Sequence, residues 1–174
     1  MLPPGQLYAP AGGMLIELAL VLGLGSGRAP NACQVLSARD VAAVRGARFK
    51  STKLKEIATR DVRISQCFYA MPRFSDSISV DLIRGDTRAF WKKHFADARA
   101  EQLASAKPRH EREARAVPVA GVGDEAVWSG NRLAGALYVM KGDTIVRVSV
   151  GGDAPQEQKI ERAKQLATRA LRRL

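Results

Sequence analysis

The fold is decided by Val62-Arg63-Ile64-Ser65-Gln66-Cys67-Phe68-Tyr69-Ala70 and, one turn later, by Ser77-Ile78-Ser79-Val80-Asp81-Leu82-Ile83. Both stretches alternate apolar with polar residues, which is the pattern of half-buried β-strands. The segment between them, from Pro72 to Asp76, has the composition of a turn. The two stretches therefore predict an antiparallel hairpin.

A second hairpin is predicted nearer the C-terminus. Leu133–Met140 and Thr144–Val150 are apolar strand candidates, and Lys141-Gly142-Asp143 between them fits a tight turn. A shorter strand candidate, Ala126–Trp128, precedes this pair. Residues 46–60 are basic and polar, and we expect a loop there with a ragged strand.

Three helices are predicted around these strands. Ser37 can cap a first helix that Gly46 ends, and a second runs from about Thr87 to Ala106. A third begins at Asp153 and Pro155. This order of elements predicts an α+β domain built on an antiparallel sheet. Its core should contain the apolar-face residues Trp91, Phe95, Trp128, Ile145, Val148, Ile160, Ala163 and Ala167.

Residues 1–30 are predicted to be a leader with a signal segment, and residues 31–174 a single α+β domain. The apolar run Met14–Leu24 has 11 residues. A bilayer span needs about 20, whereas a signal-peptide core needs roughly 7–15. Glu17 interrupts the run and no Lys or Arg precedes it, so a buried N-terminal helix or strand is the alternative. An incorrectly assigned start codon would account for both departures.

The chain has two cysteines, Cys33 and Cys67. Two cysteines behind an export signal are typical of an oxidising compartment and favour one disulfide, with Cα atoms roughly 4.4–6.8 Å apart. Pro30-Asn31-Ala32 is a poor lipobox. Cys33 is therefore expected to be a disulfide partner and not a lipid anchor.

The charge balance is strongly basic, with 28 Lys and Arg against 17 Asp and Glu, a net charge of +11 and a pI near 10.3. Such a balance favours phospholipid headgroups, anionic wall polymers or nucleic acid as partners. We expect an anion-attracting patch at Arg45, Arg48, Lys50, Lys53 and Lys55. Nucleic-acid modules interleave such charges with stacking aromatics, and Phe49 alone lies among them here. Specific nucleic-acid binding is therefore not expected.

Four short motifs span residues 33–174: Cys33-Gln34-Val35-Leu36-Ser37 leading into Asp40-Val41, then Gln66-Cys67-Phe68-Tyr69, Val119–Trp128 and Leu137–Asp143. Their order and spacing resemble a family of uncharacterised exported proteins and lipoproteins typical of actinobacteria. The resemblance implies export, the Cys33–Cys67 disulfide and a fold similar to the PsbP and Mog1 group, in which helices sandwich an antiparallel sheet. It implies no enzymatic activity, and this chain departs from the family in lacking a lipobox.

The sequence contains no recognisable catalytic, metal-binding or phosphate-binding motif. The candidate metal ligands are not spaced as in a zinc site; they are Cys33, Cys67, His94 and His110. No Gly-x-Ser-x-Gly motif is present, and Gly121-Val122-Gly123-Asp124 leads into a strand, so a turn is favoured over a phosphate loop. We therefore predict no catalytic residue, cofactor or metal.

The sequence favours an exported, disulfide-stabilised, non-enzymatic binding or accessory domain at the cell envelope, whose partner is an envelope protein or an anionic surface. The alternative is a binder of an anionic polymer, which includes nucleic acid, wall polymer or a phospholipid surface. A small hydrolase comes third, and a buried polar cluster in the structure would favour it.

Overall fold

The computed structural model describes residues 29–103, 116–130 and 134–174, with backbone alone at 96–103. Residues 1–28 of the predicted leader, the predicted end of the second helix at Ala106, and His110 lie outside these ranges. None of the helices within them is long and apolar enough to cross a membrane.

In the described part of the chain, one antiparallel sheet of seven strands carries three helices, so the predicted α+β class is confirmed. The strand order is β1-β2-β3-β7-β6-β5-β4. In chain order the elements are α1 (Ala38–Arg45), β1 (Ser51–Ala58), β2 (Val62–Ala70), a 3-10 turn (Phe74–Asp76), β3 (Ile78–Gly85), α2 (Thr87–Leu103), β4 (Ala116–Pro118), β5 (Glu125–Gly130), β6 (Gly135–Lys141), β7 (Thr144–Val150) and α3 (Gln156–Leu171).

Both predicted hairpins are present, β2 with β3 and β6 with β7, and β3 pairs with β7 at the centre of the sheet. Within residues 46–60, where we expected a loop with a ragged strand, Ser51–Ala58 form instead a regular edge strand, β1. It pairs with β2 along its whole length, from Ser51 opposite Ala70 to Ala58 opposite Arg63. Only Ile57 of β1 is half-buried. An edge strand that buries so little has no apolar alternation for the sequence to reveal.

The sheet has two covered faces. On the α1/α3 face, α3 packs across β6 and β7 and α1 packs on α3, around a core that includes Trp128, Leu137 and Leu166. On the α2 face, Phe90 and Trp91 of α2 pack on a smaller cluster formed by Val62, Ile83, Met140 and Ile145. Successive strand residues point to opposite faces, which is why β2, β3, β6 and β7 each contribute to both clusters.

The predicted core residues fall into two groups. Trp91 and Ile160 are only half-buried, and each packs against the rim of its cluster. The others are buried, as predicted: Phe95, Trp128, Ile145, Val148, Ala163 and Ala167. The sequence thus placed the apolar faces correctly but could not show how far each helix covers the sheet.

The predicted disulfide is present. Cys33 and Cys67 are bonded, with their Cα atoms 5.0 Å apart. The bond ties the segment before α1 to the middle of β2, and Tyr69 reinforces the join because its hydroxyl donates to the carbonyl of Ala32 at 2.6 Å. Cys67 is completely buried in the core of the α1/α3 face.

Asp40 joins the two ends of the domain. Its carboxylate accepts hydrogen bonds from the Ser37 backbone (2.8 Å) and hydroxyl, completing the cap of α1, and Arg173 lies 2.7 Å away at the end of α3. Burial by itself would raise the pKa of this carboxyl. The hydrogen bonds from Ser37 and Arg173 and the charge of Arg173 outweigh burial, and the pKa falls to about 2.

Acid should therefore weaken this junction. A carboxyl whose pKa is lower in the folded than in the unfolded chain stabilises above its unfolded pKa, and that contribution is lost as pH falls through the folded pKa. We expect Asp40→Asn to lower the free energy of unfolding by about 1–2 kcal/mol at pH 6, and by almost nothing near pH 2. Urea denaturation at several pH values measures this. Asp143→Asn, in the exposed β6–β7 turn, is the control; an Asp40→Asn effect independent of pH would contradict the assignment.

Candidate functional site

The predicted basic patch is only partly assembled, because Arg45 points elsewhere. Its side chain is 5% exposed, and Nη2 lies 3.0 Å from the main-chain oxygen of Asp76 and 3.3 Å from its carboxylate. Burial lowers the pKa of the Arg45 guanidinium, and the nearby positive charge of Arg162 lowers it further. Arg45 therefore tethers α1 to the turn after β2.

The other four members, Arg48, Lys50, Lys53 and Lys55, are exposed. Arg48 and Lys50 lead into β1, and the Lys50 backbone donates to Ala70 at the end of β2. Lys53 and Lys55 are two positions apart on β1, so both side chains project from the same face of the sheet, the α2 face.

Sheet pairing places two aromatic rings beside these lysines. Lys53 lies directly opposite Phe68 of β2, and Phe74 in the following turn packs on Phe68 with ring centroids 5.8 Å apart. Phe74 is 78% exposed, the most exposed large apolar side chain among the described residues. We call Lys53, Lys55, Phe68 and Phe74 the edge patch. Phe49, the one aromatic noted among the basic residues in the sequence, packs instead on Tyr69.

A row of polar side chains runs inward from the edge patch across five neighbouring strands. The register aligns Lys55, Gln66, Asp81, Arg147 and Tyr138 on the α2 face, and we call these residues the polar row. Gln66 and Asp81 occupy polar positions of the two stretches that predicted the first hairpin. Only the non-local register shows that they meet Arg147, so sequence reasoning missed the row.

Asp81 is the centre of the polar row. Its side chain is 9% exposed, and it accepts hydrogen bonds from Gln66 Nε2 at 3.0 Å, Arg147 Nη1 at 3.0 Å and Ser79 Oγ at 3.3 Å. Arg147 Nε also donates to the Tyr138 hydroxyl at 3.1 Å. Burial would lower the pKa of Arg147, but Tyr138 and Asp81 outweigh it and raise that pKa. Asp81 and Arg147 thus form an ion pair whose hydrogen bonds also hold Gln66 and Tyr138.

The α2 helix covers one side of this row and leaves the other side half-exposed. Phe95 packs edge-on against Tyr138 with ring centroids 4.9 Å apart. Beyond the row, Phe68, Ser79 and Ser149 lie side by side and are half-buried. The α2 face therefore offers polar and aromatic groups to a partner between the edge patch and α2.

The other residues that the sequence analysis considered, His94 and the segment from Gly121 to Asp124, are held by local contacts. His94 is exposed and stacks on Phe90 at 4.0 Å, with Nδ1 donating to the Phe90 carbonyl at 2.8 Å. Gly121 and Gly123 have positive φ angles of 77° and 61°, as a turn requires, and Asp124 accepts from the Gly142 backbone at 2.8 Å. Within the described ranges no three His, Cys, Asp or Glu side chains gather as metal ligands.

No protein-family model, curated protein sequence or solved structure matches this chain.

Proposed function

We propose that this chain is an exported, disulfide-stabilised, non-enzymatic binding or accessory domain of the cell envelope. The observation that carries the proposal is the bond between Cys33 and Cys67, the only cysteines in the chain. Structural disulfides persist in oxidising compartments and are rare in reducing ones, so the bond supports export. The apolar run at Met14–Leu24 supports it independently.

The binding role is supported by the α2 face. Lys53, Lys55 and Phe74 of the edge patch are exposed, and Phe68 and the adjoining serine positions are half-buried, although the sheet that carries them also has a fully packed core. Binding surfaces held on rigid strands need little ordering when a partner arrives, which preserves affinity. A β-sheet stapled by a disulfide provides such a support.

A closer relationship to the PsbP and Mog1 group, and to the actinobacterial exported family, is part of the proposal. The family-like motifs fall on defined elements of the fold: Cys33 and Cys67 are bonded, Val119–Trp128 forms a turn and the first residues of β5, and Leu137–Asp143 forms most of β6 and the turn after it. Helices lie on both faces of the antiparallel sheet. These features agree with the resemblance.

Binding of an anionic polymer is the second candidate function, and the edge patch favours it because cations and aromatic rings lie together there. A hydrolase is less well supported, although the polar row is a partly buried polar cluster. Asp81 already accepts hydrogen bonds from three side chains, and its charge is matched by Arg147. Such a carboxylate orders the sheet and is poorly placed to act as a base.

Photo-crosslinking in cells tests the proposed function. A photoreactive residue in the edge patch should be joined to an envelope component, whereas one on the outer surface of α1 should not.

A further inference from the structure

We propose that the edge patch docks onto an anionic phospholipid surface, with the Phe74 ring inserted among the headgroups and the lysines facing the phosphates. The inference rests on the proposed function, because it takes the envelope as the place where the domain works. It adds the chemical class of the partner and the residues that meet it.

Phe74 lies in a turn that is fixed by hydrogen bonds on both sides of it. Arg73 makes two hydrogen bonds to the Asp76 carboxylate, at 2.8 and 2.9 Å, and the Ser77 backbone donates to the Phe74 carbonyl at 3.0 Å. Phe68 supports the ring from the sheet. An exposed phenylalanine costs free energy in water, and burying it in the acyl boundary of a bilayer recovers that cost. The ordered turn means that little conformational entropy is lost on insertion.

The charges of the segment that leads into β1 are unbalanced, whereas the Asp76 carboxylate near Phe74 is paired with Arg73 and Arg45. Residues 46–55 contain four cations, Arg48, Lys50, Lys53 and Lys55, and no acidic residue. Glu56 follows immediately but accepts a hydrogen bond from Ser65 on the α1/α3 face at 2.7 Å. The lysines of β1 therefore project without a neighbouring carboxylate on their own strand face. Anionic headgroups would supply the missing charge.

The exposed Phe74 ring distinguishes among the possible anionic partners. A hydrophilic wall polymer offers nothing for Phe74 to enter, whereas a bilayer offers headgroups and acyl chains at the same place. Single-stranded nucleic acid requires a series of rings on which successive bases stack. In the described part of the patch, one ring is exposed and the other, Phe68, lies behind it. The geometry fits a lipid surface better.

Vesicle sedimentation with the disulfide-bonded protein tests the proposal. We expect binding to equimolar phosphatidylglycerol and phosphatidylcholine vesicles, and little binding to phosphatidylcholine alone. Each lysine near such a surface contributes about fivefold, so Lys53→Gln with Lys55→Gln should weaken binding about 25-fold. Phe74→Ala should weaken it about tenfold, because the buried ring is lost. Thermal melting of each variant verifies that it is folded.

The matched control removes the same charge elsewhere. Arg39→Gln with Arg172→Gln changes two exposed arginines on α1 and at the end of α3, and should weaken binding less than about threefold. An equal loss in this control would show that net charge alone drives binding, and would overturn the proposal. Tighter binding to single-stranded DNA that depends on Phe74 and survives physiological salt would also overturn it. If vesicles are not bound while crosslinking still joins the patch to an envelope protein, the lipid proposal fails and the proposed function stands.

Discussion

Replacing both cysteines, Cys33→Ala with Cys67→Ala, should lower the free energy of unfolding by about 4 kcal/mol. The residues are 34 positions apart in the sequence, and the chain-entropy model gives about this stabilisation for such a loop. Alanine is preferred at Cys67 because that site is fully buried, and a serine hydroxyl would have to be desolvated there. For a domain of this size the melting temperature should fall by about 10–15 °C.

Each single variant should lose about as much stability as the double variant, because either one breaks the bond. Calorimetry of the three variants measures this, and wild-type protein melted in a reductant is the control. A melting temperature within about 2 °C of wild type would contradict a stabilising role for the bond.

Asp81→Ala should cost about 3 kcal/mol of unfolding free energy. The change leaves the guanidinium of Arg147 without its carboxylate and deprives Gln66 of an acceptor. Removing one partner of a buried ion pair typically costs 3–5 kcal/mol, and the partial exposure of Arg147 places this pair at the lower end. Chemical denaturation measures the loss.

A double variant isolates the cause of that loss. Asp81→Ala with Arg147→Met should recover part of the stability, because both charges of the pair are removed together. Asp143→Ala is the surface control and should change stability by less than about 0.5 kcal/mol. A loss below about 1 kcal/mol in Asp81→Ala would show that the polar row is not a coupled network.

The sequence was most informative where local periodicity is strong. Alternation in β2 and β3 predicted the first hairpin, and two apolar strand candidates joined by the Lys141-Gly142-Asp143 turn predicted the second. Ser37 and Gly46 marked the ends of α1. The edge strand β1 was not predicted as a regular strand because its exposed residues carry no alternating signal. Periodicity reports burial, so it is silent about strands that bury almost nothing.

The candidate site was less predictable because it depends on register. Phe68 lies 15 residues after Lys53 in the sequence and directly opposite it in the sheet. The Asp81–Arg147 ion pair joins residues 66 positions apart. Arg45 was grouped with the exposed basic residues, yet it turns inward to Asp76. The local sequence shows which residue types are present, but only the tertiary structure shows which of them lie together.

Photo-crosslinking in cells that produce the full chain tests the central claim most directly. A photoreactive phenylalanine replaces Lys55 or Phe74 in the edge patch, with exposed Arg39 of α1 and exposed Gln165 of α3 as matched positions on the opposite side of the sheet. We predict products from the two patch positions that fractionate with the envelope and carry the Cys33–Cys67 bond. Products confined to the cytoplasm with both cysteines reduced, or equal crosslinking from all four positions, would contradict the account.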